Sequence, residues 1–364
     1  MDLFHDCFGD LPDPRADNAR HELSEILFIA LLASLCGAKG CSAMAEFGRS
    51  KEALLRTILT LEHGIPSHDT FSALFRMLDP KAFEAAFREF TRAFGAAANI
   101  GKTKGVVAVD GKSLRRAYEV GQSHMPRLMV TVWGAQTRMA LANVLAENNN
   151  EAEAALQLIQ LVALKGCVVT ADALHCHREM ARVIVERGGD YVLAVKDNQP
   201  SLLRDAQAAL SAIPKHVEPV TTQDTRHGRK ETRSAIVTSA KGMAEKHNFP
   251  GLQAVARVTS KRGKDKPVER YFLLSRRYSS DALLRIVRTH WTIENSLHWP
   301  LDVVLDEDLA RNRKDYGPQN LAVIRRMVLN IARAHPDKKT SLTLKLMRAA
   351  WDEDFLFELI RHMR

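Results

Sequence analysis

A change in hydrophobic spacing near residue 105 limits the possible folds of this chain more than any other feature of its sequence. From residue 18 to about residue 94, apolar side chains recur with the spacing of amphipathic helices. After the change, short runs rich in β-branched residues alternate with helical segments. The predicted order is strand, strand, strand, helix, strand, helix and strand, which indicates an antiparallel meander followed by crossover helices. The strands are predicted at 106–109, 128–133, 139–145, 167–170 and 191–195.

This order of elements predicts a mixed α/β fold built on a ribonuclease-H-like sheet. Further strand-like runs follow, with basic turns between them, and we interpret them as a β-rich insertion. Helical spacing then returns and continues towards the C-terminus. The predicted divisions are a helical N-terminal domain at 1–98, a catalytic domain at 99–335 with its insertion at about 216–276, and a C-terminal helical segment at 336–364.

Three acidic residues stand where metal-dependent phosphoryl transfer would need them. Asp110 and Asp172 each follow a predicted strand, and Glu294 lies in a later, aromatic-rich helical stretch. A carboxylate at the end of a buried strand is costly unless a cation meets it. Because Mg²⁺ is held by carboxylates together with phosphate oxygens, three converging acids predict a metal site for in-line displacement at phosphorus.

Each acid also has a purely structural explanation. An Asp-Gly pair such as the one at Asp110 is a common turn signal. Asp172 could cap the helix that follows it. The helix that carries Glu294 could be an amphipathic helix that buries its tryptophans in the core. The sequence leaves these explanations open beside the functional ones.

Two neighbouring clusters allow more than one interpretation. His175, Cys176 and His177 could polarise a phosphate or ligate a metal, but no second Cys or His pair lies at zinc spacing, so zinc is not favoured. The acidic run at 306–308, followed by basic residues, could be a further ligand or a DNA-contacting segment. A solvated, salt-bridged surface produces the same alternation of charge, so we treat this run as secondary.

The charge of the chain favours a polyanionic partner. Its 52 Lys and Arg residues outnumber its 43 Asp and Glu residues, which gives a formal net charge of +9. The five cysteines are scattered and predict no disulfide framework, as expected for a reducing cytoplasm. The apolar run at 26–38 is too short to cross a bilayer, so it predicts a core helix and no membrane partner.

Several basic and polar residues near the three acids are candidates for DNA contact. Some directly follow Asp110, and others follow the last predicted strand of the meander. Positions 291, 294, 295 and 298 are spaced to share one helix face, which would place base-stacking or phosphate-contacting groups beside Glu294. The predicted DNA contacts are Lys112, Arg115, Arg116, Lys196, Asn198, Arg288, His290, His298, Arg311 and Arg313.

Four segments, in this order along the chain, resemble the H-repeat-associated (ISAs-type) insertion-sequence transposases. Two N-terminal segments, at 11–15 and 65–71, resemble the helical associated domain of that family. The likeness covers nearly the whole chain. The four segments are 109–112, 169–173, 188–199 and 290–295.

The resemblance implies a DDE-type catalytic domain of ribonuclease-H-like fold that uses two Mg²⁺ or Mn²⁺ ions. It places Asp110, Asp172 and Glu294 at the three catalytic, metal-binding positions. It further implies metal-dependent cleavage and strand transfer on double-stranded DNA, at element ends and target DNA. Because bringing two DNA ends together needs at least two protomers, we expect a homodimer on DNA, in the cytoplasm and associated with the nucleoid.

The resemblance does not extend to every accessory position. Related transposases carry a Tyr and an Arg before the glutamate and a Lys after it, but Val287, His290 and Leu301 stand at those positions here. Two other functions also remain open: a non-catalytic DNA-binding regulator derived from a transposase, and a metal-dependent DNA nuclease without strand transfer.

Overall fold

A single mixed β-sheet organises the protein. The computed structural model describes residues 2–100, 104–119, 122–214, 216–226 and 229–363, and the strands below are those of this part of the chain. They are β1 (Gly105–Glu119), β2 (Gln122–Gly134), β3 (Met139–Leu145), β4 (Cys167–Ala171), β5 (Asp190–Val195), β6 (Val220–Arg226), β7 (Arg229–Ser239), β8 (Ala254–Arg262) and β9 (Val268–Leu274).

The first half of the sheet confirms the predicted topology. Its strand order is β3-β2-β1-β4-β5. β1, β2 and β3 form an antiparallel meander. β4 then pairs in parallel with β1, and β5 pairs in parallel with β4. The parallel strands are reached by crossover helices, as parallel pairing requires. This arrangement is the ribonuclease-H-like sheet that the sequence predicts.

The strands predicted as an insertion continue this same sheet. β9 pairs antiparallel with β5, and β8, β7 and β6 follow in order to the far edge. The edge strand β6 is absent from the sequence prediction because its residues, Val-Thr-Thr-Gln-Asp-Thr-Arg, are mostly polar. The insertion therefore lengthens the sheet, and the exact domain boundaries stay a prediction.

Helices cover both faces of the sheet. One layer contains α7, α8 and α9, and the other contains the N-terminal and C-terminal helices. The helices are α1 (Asp2–Phe8), α2 (Leu23–Leu35), α3 (Cys41–Ser50), α4 (Glu52–Leu55), α5 (His68–Met77), α6 (Pro80–Ala97), α7 (Glu151–Leu161), α8 (Arg178–Glu186), α9 (Pro200–Ser211), α10 (Met243–His247), α11 (Ser280–His290), α12 (Trp299–Val303), α13 (Gly317–Ala334), α14 (Leu342–Trp351) and α15 (Glu353–Ile360).

The N-terminal helices share a core with the sheet, and helix α13 makes the connection. It packs against α2, α5, α6 and strand β3. Asn330 of α13 accepts a hydrogen bond from the backbone N–H of Ala140 and donates one to its carbonyl, both at 2.9 Å. These bonds tie the helix to the edge strand β3. Asn320 of α13 donates hydrogen bonds to the carbonyls of Phe75 and Leu78, both at 2.9 Å. Phe83, Phe87 and Phe90 of α6 are fully buried.

Helix α2 confirms the predicted core helix. Almost all of its side chains are buried, which fits an all-round apolar helix inside a protein core. Among the described residues, no helix is both long and apolar enough to cross a membrane.

Candidate active site

Asp110 lies in the middle of a long central strand. β1 continues past it, and Asp110 and Gly111 pair with Thr131 and Val130 of β2. The turn suggested by the Asp-Gly pair is therefore wrong, because both residues belong to the antiparallel ladder. Along β1, side chains alternate between the two faces. Asp110 accordingly shares a face with Ala108, which packs in the core on the α13 side of the sheet.

Glu294 lies on the helical segment that follows α11. A π-helical turn, Glu294–His298, joins α11 to α12, and such turns frequently occur at functional sites. Ile293 and Leu297 are fully buried and anchor this segment to the core. Its other side is open, since Trp291 is 42% and Trp299 57% exposed. The explanation that this helix buries its tryptophans is therefore wrong.

The structure brings Asp110 and Glu294 together around His298. The Nδ1 atom of His298 lies 3.3 Å from Glu294 Oε2 and 3.8 Å from Asp110 Oδ2. One ligand atom from each residue lies within 4.8 Å of the others. Within the described part of the chain, this is the group whose donor atoms meet closely enough to share one ion.

The pKa values of the two carboxyl groups in this cluster are shifted in opposite directions. Burial, followed by the negative charges of Glu294 and Glu151, raises the pKa of Asp110 to about 8. The hydrogen bond with His298 lowers the pKa of Glu294, against the opposing effect of burial. Without a positive charge nearby, Asp110 therefore keeps its proton near neutral pH, and a bound cation would favour its carboxylate form.

Asp172 approaches the cluster from the neighbouring strand. It follows β4, the parallel neighbour of β1, and its Oδ1 accepts a hydrogen bond from the backbone N–H of Leu174 at 2.9 Å. The capping explanation is thus correct for this residue. The side chain is 52% exposed, so capping leaves part of the carboxylate open to solvent. Asp172 lies outside the group formed by Asp110, Glu294 and His298.

His290 lies between the two parts of the site. Its Nδ1 atom is 2.9 Å from the hydroxyl of Thr170, the residue of β4 that lies two positions before Asp172. Burial lowers the pKa of His290 to about 4, although the charges of Asp172 and Glu294 oppose this shift. The neutral imidazole is therefore a hydrogen-bonding group at neutral pH rather than a cationic phosphate contact.

The donor set fits a hard divalent cation. Carboxylates are the protein ligands that suit Mg²⁺ and Mn²⁺. A cation would also keep Asp110 ionised, because a nearby positive charge favours the carboxylate. The residues that would hold it are Asp110 and Glu294, with His298 beside them and Asp172 within the same site.

The structure corrects the prediction that Lys112 contacts DNA. Its side chain is only 6% exposed, and Nζ lies 2.6 Å from Asp302 Oδ1 and 2.9 Å from Asp308 Oδ1. Glu307 Oε2 is 3.6 Å away, and Glu307 also pairs with the buried Arg326 at 3.0 Å. Glu307 and Asp308 therefore belong to a network of ions around Lys112, whereas Asp306 pairs with Lys39 at 3.3 Å and is 38% exposed.

Two other predicted contacts are partly engaged within the protein. Asn198 donates its side-chain N–H to the carbonyl of Ala173 at 2.6 Å, which supports the loop that carries Asp172. Arg288 pairs with Asp224 of β6 and so joins α11 to the sheet extension. Lys196, at the end of β5, is exposed.

Four predicted arginine contacts lie on one part of the surface. Arg115 and Arg116 are exposed on β1, and Arg115 pairs with Asp308 at 3.0 Å. Arg311 and Arg313 are exposed and flank Asn312. A small cavity is lined by both Arg116 and Asn312, which places these two segments side by side.

Glu151 is the acid that the sequence analysis missed. It begins α7, and its Oε1 lies 3.2 Å from Nε2 of the buried His175. The neighbouring His177 accepts a hydrogen bond from the N–H of Met180 and caps α8, and it does not belong to the group of possible metal ligands among the described residues. The available signal was the position of Glu151, since the first residue of a crossover helix lies beside the central strands.

The chain belongs to the transposase DDE family. The sequence profile of the transposase DDE domain matches residues 101–331, which is more than half of the chain. A second profile, described as DDE_Tnp_1-associated, matches residues 5–91.

Curated relatives agree with this assignment. The candidate transposase YncI of Escherichia coli O157:H7 is 31% identical over 98% of this chain and 93% of its own length. The H repeat-associated candidate transposase YhhI of Escherichia coli strain K12 is 28% identical over 96% of this chain and 95% of its own. Among solved structures, a piggyBac transposase synaptic complex with hairpin DNA covers all of this chain and 77% of its own, with 13% identity and a TM-score of 0.43.

Proposed function

We propose that this protein is the transposase of an insertion sequence and catalyses metal-dependent cleavage and strand transfer at the ends of its element. The observation that carries the proposal is the meeting of Asp110, Glu294 and His298 beside Asp172 on a ribonuclease-H-like sheet. Family membership and the net charge of +9 support a DNA substrate.

The proposed reaction has two displacement steps at phosphorus. Water first attacks a phosphodiester bond at the element end, and the freed 3′-OH then attacks target DNA. Bound Mg²⁺ or Mn²⁺, two ions in our proposal, supplies charge stabilisation for the attacking and leaving oxygens. Asp110, Asp172 and Glu294 hold the ions. His298 orients the two carboxylates that it contacts, and His290 supports the strand that carries Asp172 through Thr170.

DNA would lie across the surface that contains these acids. Trp291 and Trp299 are exposed on the glutamate helix and offer faces for base stacking. The exposed Arg116, Arg311 and Arg313 offer phosphate contacts. We propose a homodimer on DNA, because joining two element ends to one target requires two sites, and we place its action at the nucleoid in the cytoplasm.

The test uses purified protein and labelled linear DNA that carries the genomic sequences flanking the gene. Reactions contain Mg²⁺, Mn²⁺ or EDTA, and cleaved and joined products are resolved separately. The variants Asp110→Asn, Asp172→Asn and Glu294→Gln should abolish both products while DNA binding in EDTA stays unchanged. The matched control is Asp281→Asn, a half-exposed acid at the start of α11 that pairs with Arg285.

The outcomes separate three functions. Joined products that require metal and all three acids establish a transposase. Cleavage without joining indicates a nuclease, and binding without either product indicates a regulator. Loss of DNA binding in step with cleavage, in any of the three variants, would count against the assignment of that residue to the metal site.

A further inference from the structure

Glu151 reaches the central strand directly beside Asp110. It stands in the first turn of α7, and its side chain is only 18% exposed. A Cβ atom built on Gly111 would lie 2.6 Å from the carboxyl carbon and from Oε1 of Glu151. Position 111 therefore has room for this carboxylate only because it carries no side chain. The glycine and the acid together form a fitted contact between α7 and β1.

A buried histidine links Glu151 to Asp172. His175 is fully buried, and its Nε2 atom lies 3.2 Å from Glu151 Oε1 and 3.8 Å from Asp172 Oδ1. Its Nδ1 atom is buried and has no hydrogen-bond partner. The histidine is therefore engaged through Nε2, whose N–H can be donated to the Glu151 carboxylate. This contact sets the position of the carboxylate against Gly111, the chain neighbour of Asp110.

An ordinary helix-terminal role does not account for this placement. Acidic side chains in the first turn interact favourably with the helix dipole, whatever direction they point in. Glu153 stands in the same first turn, with the same charge, and is exposed. Glu151 differs because it turns towards β1, where its charge adds to that of Glu294 at Asp110.

We propose that Glu151 is a fourth carboxylate of the active site, which binds a divalent cation on the Asp172 side of Asp110 while His175 holds it in position. This inference rests on the proposed function, because it assigns a new ligand to the same metal centre. Glu151 and Asp172 both lie outside the group formed by Asp110, Glu294 and His298, and His175 is the side chain that approaches both of them.

The first test measures binding of Mn²⁺ to the full chain without DNA, by calorimetry and by the electron paramagnetic resonance signal of free Mn²⁺. Glu151→Gln keeps the shape of the side chain and removes its charge. We expect it to weaken Mn²⁺ binding about tenfold or more, the loss typical of disturbed metal surroundings. The matched control Glu153→Gln should bind Mn²⁺ as the unmodified chain does, because it removes the same charge from the same helical turn.

A second variant displaces the carboxylate without changing its charge. Gly111 does not occupy the left-handed region, so alanine is compatible with its backbone. The three atoms nearest to the new Cβ of Gly111→Ala all belong to the carboxyl group of Glu151, the end of a flexible side chain, so the protein should fold and Glu151 should move. We expect Mn²⁺ binding to weaken in Gly111→Ala. The double variant with Glu151→Gln should then bind no more weakly than Glu151→Gln alone, because both changes remove the same interaction.

The results distinguish this inference from the proposed function. If Glu151→Gln and Gly111→Ala bind Mn²⁺ normally while Asp110→Asn does not, Glu151 is not a ligand and the transposase proposal stands. If Asp110→Asn and Glu294→Gln also bind Mn²⁺ normally, the metal centre itself is wrong. If Glu151→Gln does not fold, the binding measured with Gly111→Ala decides the question.

Discussion

Replacing Glu307 by glutamine should destabilise the whole protein. The Glu307 and Arg326 side chains have no exposed surface, and their charged atoms are 3.0 Å apart. Burial opposes ionisation of Glu307, but the charges of Arg326 and Lys112 outweigh it and lower the pKa of this carboxyl group. Glu307→Gln would leave Arg326 as a buried, uncompensated charge.

The expected loss in the free energy of unfolding follows from the contacts that Arg326 and Lys112 keep in Glu307→Gln. Arg326 keeps hydrogen bonds to Thr131 Oγ1 at 3.3 Å and to the Ala322 carbonyl at 3.0 Å, but neither partner is charged. Lys112 keeps Asp302 and Asp308 and so loses little. Breaking a buried ion pair on one side costs about 3–5 kcal/mol, a large part of the roughly 5–15 kcal/mol that stabilises a typical protein.

Urea unfolding followed by tryptophan fluorescence measures this loss as a lower midpoint at an unchanged slope. The control is Arg115→Ala, which breaks a pair whose arginine is 76% exposed and should cost less than about 1 kcal/mol. Replacing both partners, Glu307→Leu together with Arg326→Met, should recover much of the lost stability because no unpaired charge remains. A loss below about 1 kcal/mol in Glu307→Gln would refute this reasoning, as would weakened Mn²⁺ binding, which would make the acidic run a ligand after all.

Two further predictions concern the active site. The raised pKa of Asp110, about 8 against an ordinary 3.8, means that the folded chain holds a proton which the unfolded chain releases, so the protein in EDTA should lose stability as pH rises through this range. Thermal unfolding at about pH 5 and about pH 9 should show a smaller fall in Asp110→Asn, and an equal fall would contradict the assignment. Trp291→Ala should weaken binding of single-stranded DNA by about 1–3 kcal/mol through lost stacking, whereas Trp351→Ala, which alters a 72% exposed tryptophan of α14, should not. Fluorescence anisotropy at fixed salt measures both affinities. Equal losses in the two variants would mean that Trp291 does not belong to the DNA-binding surface.

Local spacing was sufficient to predict most of the secondary structure. The strands of the meander and the two parallel strands were predicted because β-branched runs and the period of two are properties of neighbouring residues. Helix capping is local in the same way: the hydroxyl of Ser67, the N-cap of α5, accepts a hydrogen bond from the Thr70 N–H at 3.2 Å. β6 was missed, because a polar edge strand has no apolar face that the sequence could reveal.

For several candidate residues, contacts made in the folded protein decided whether the side chain is buried or exposed. Lys112 follows Asp110 closely and carries the charge expected of a DNA contact, yet three acids from a distant segment surround it. Trp291 and Trp299 are large aromatic residues of the kind that usually pack in a core, yet both are exposed. Charge and hydrophobicity do not tell whether a side chain points to solvent or to a partner far away in the sequence.

The sequence by itself determined the order of the first five strands and their crossover helices, the mixed α/β class, and the identities of Asp110, Asp172 and Glu294 as the acids to examine. Only the tertiary structure decided that β6 to β9 extend the same sheet, that His298 brings Asp110 and Glu294 together, and that Glu151 fits against Gly111. The physical reason is the range of the interactions. Periodicity and capping act between close neighbours in the chain, whereas a metal site is made by contacts between distant segments that only the packed fold brings together.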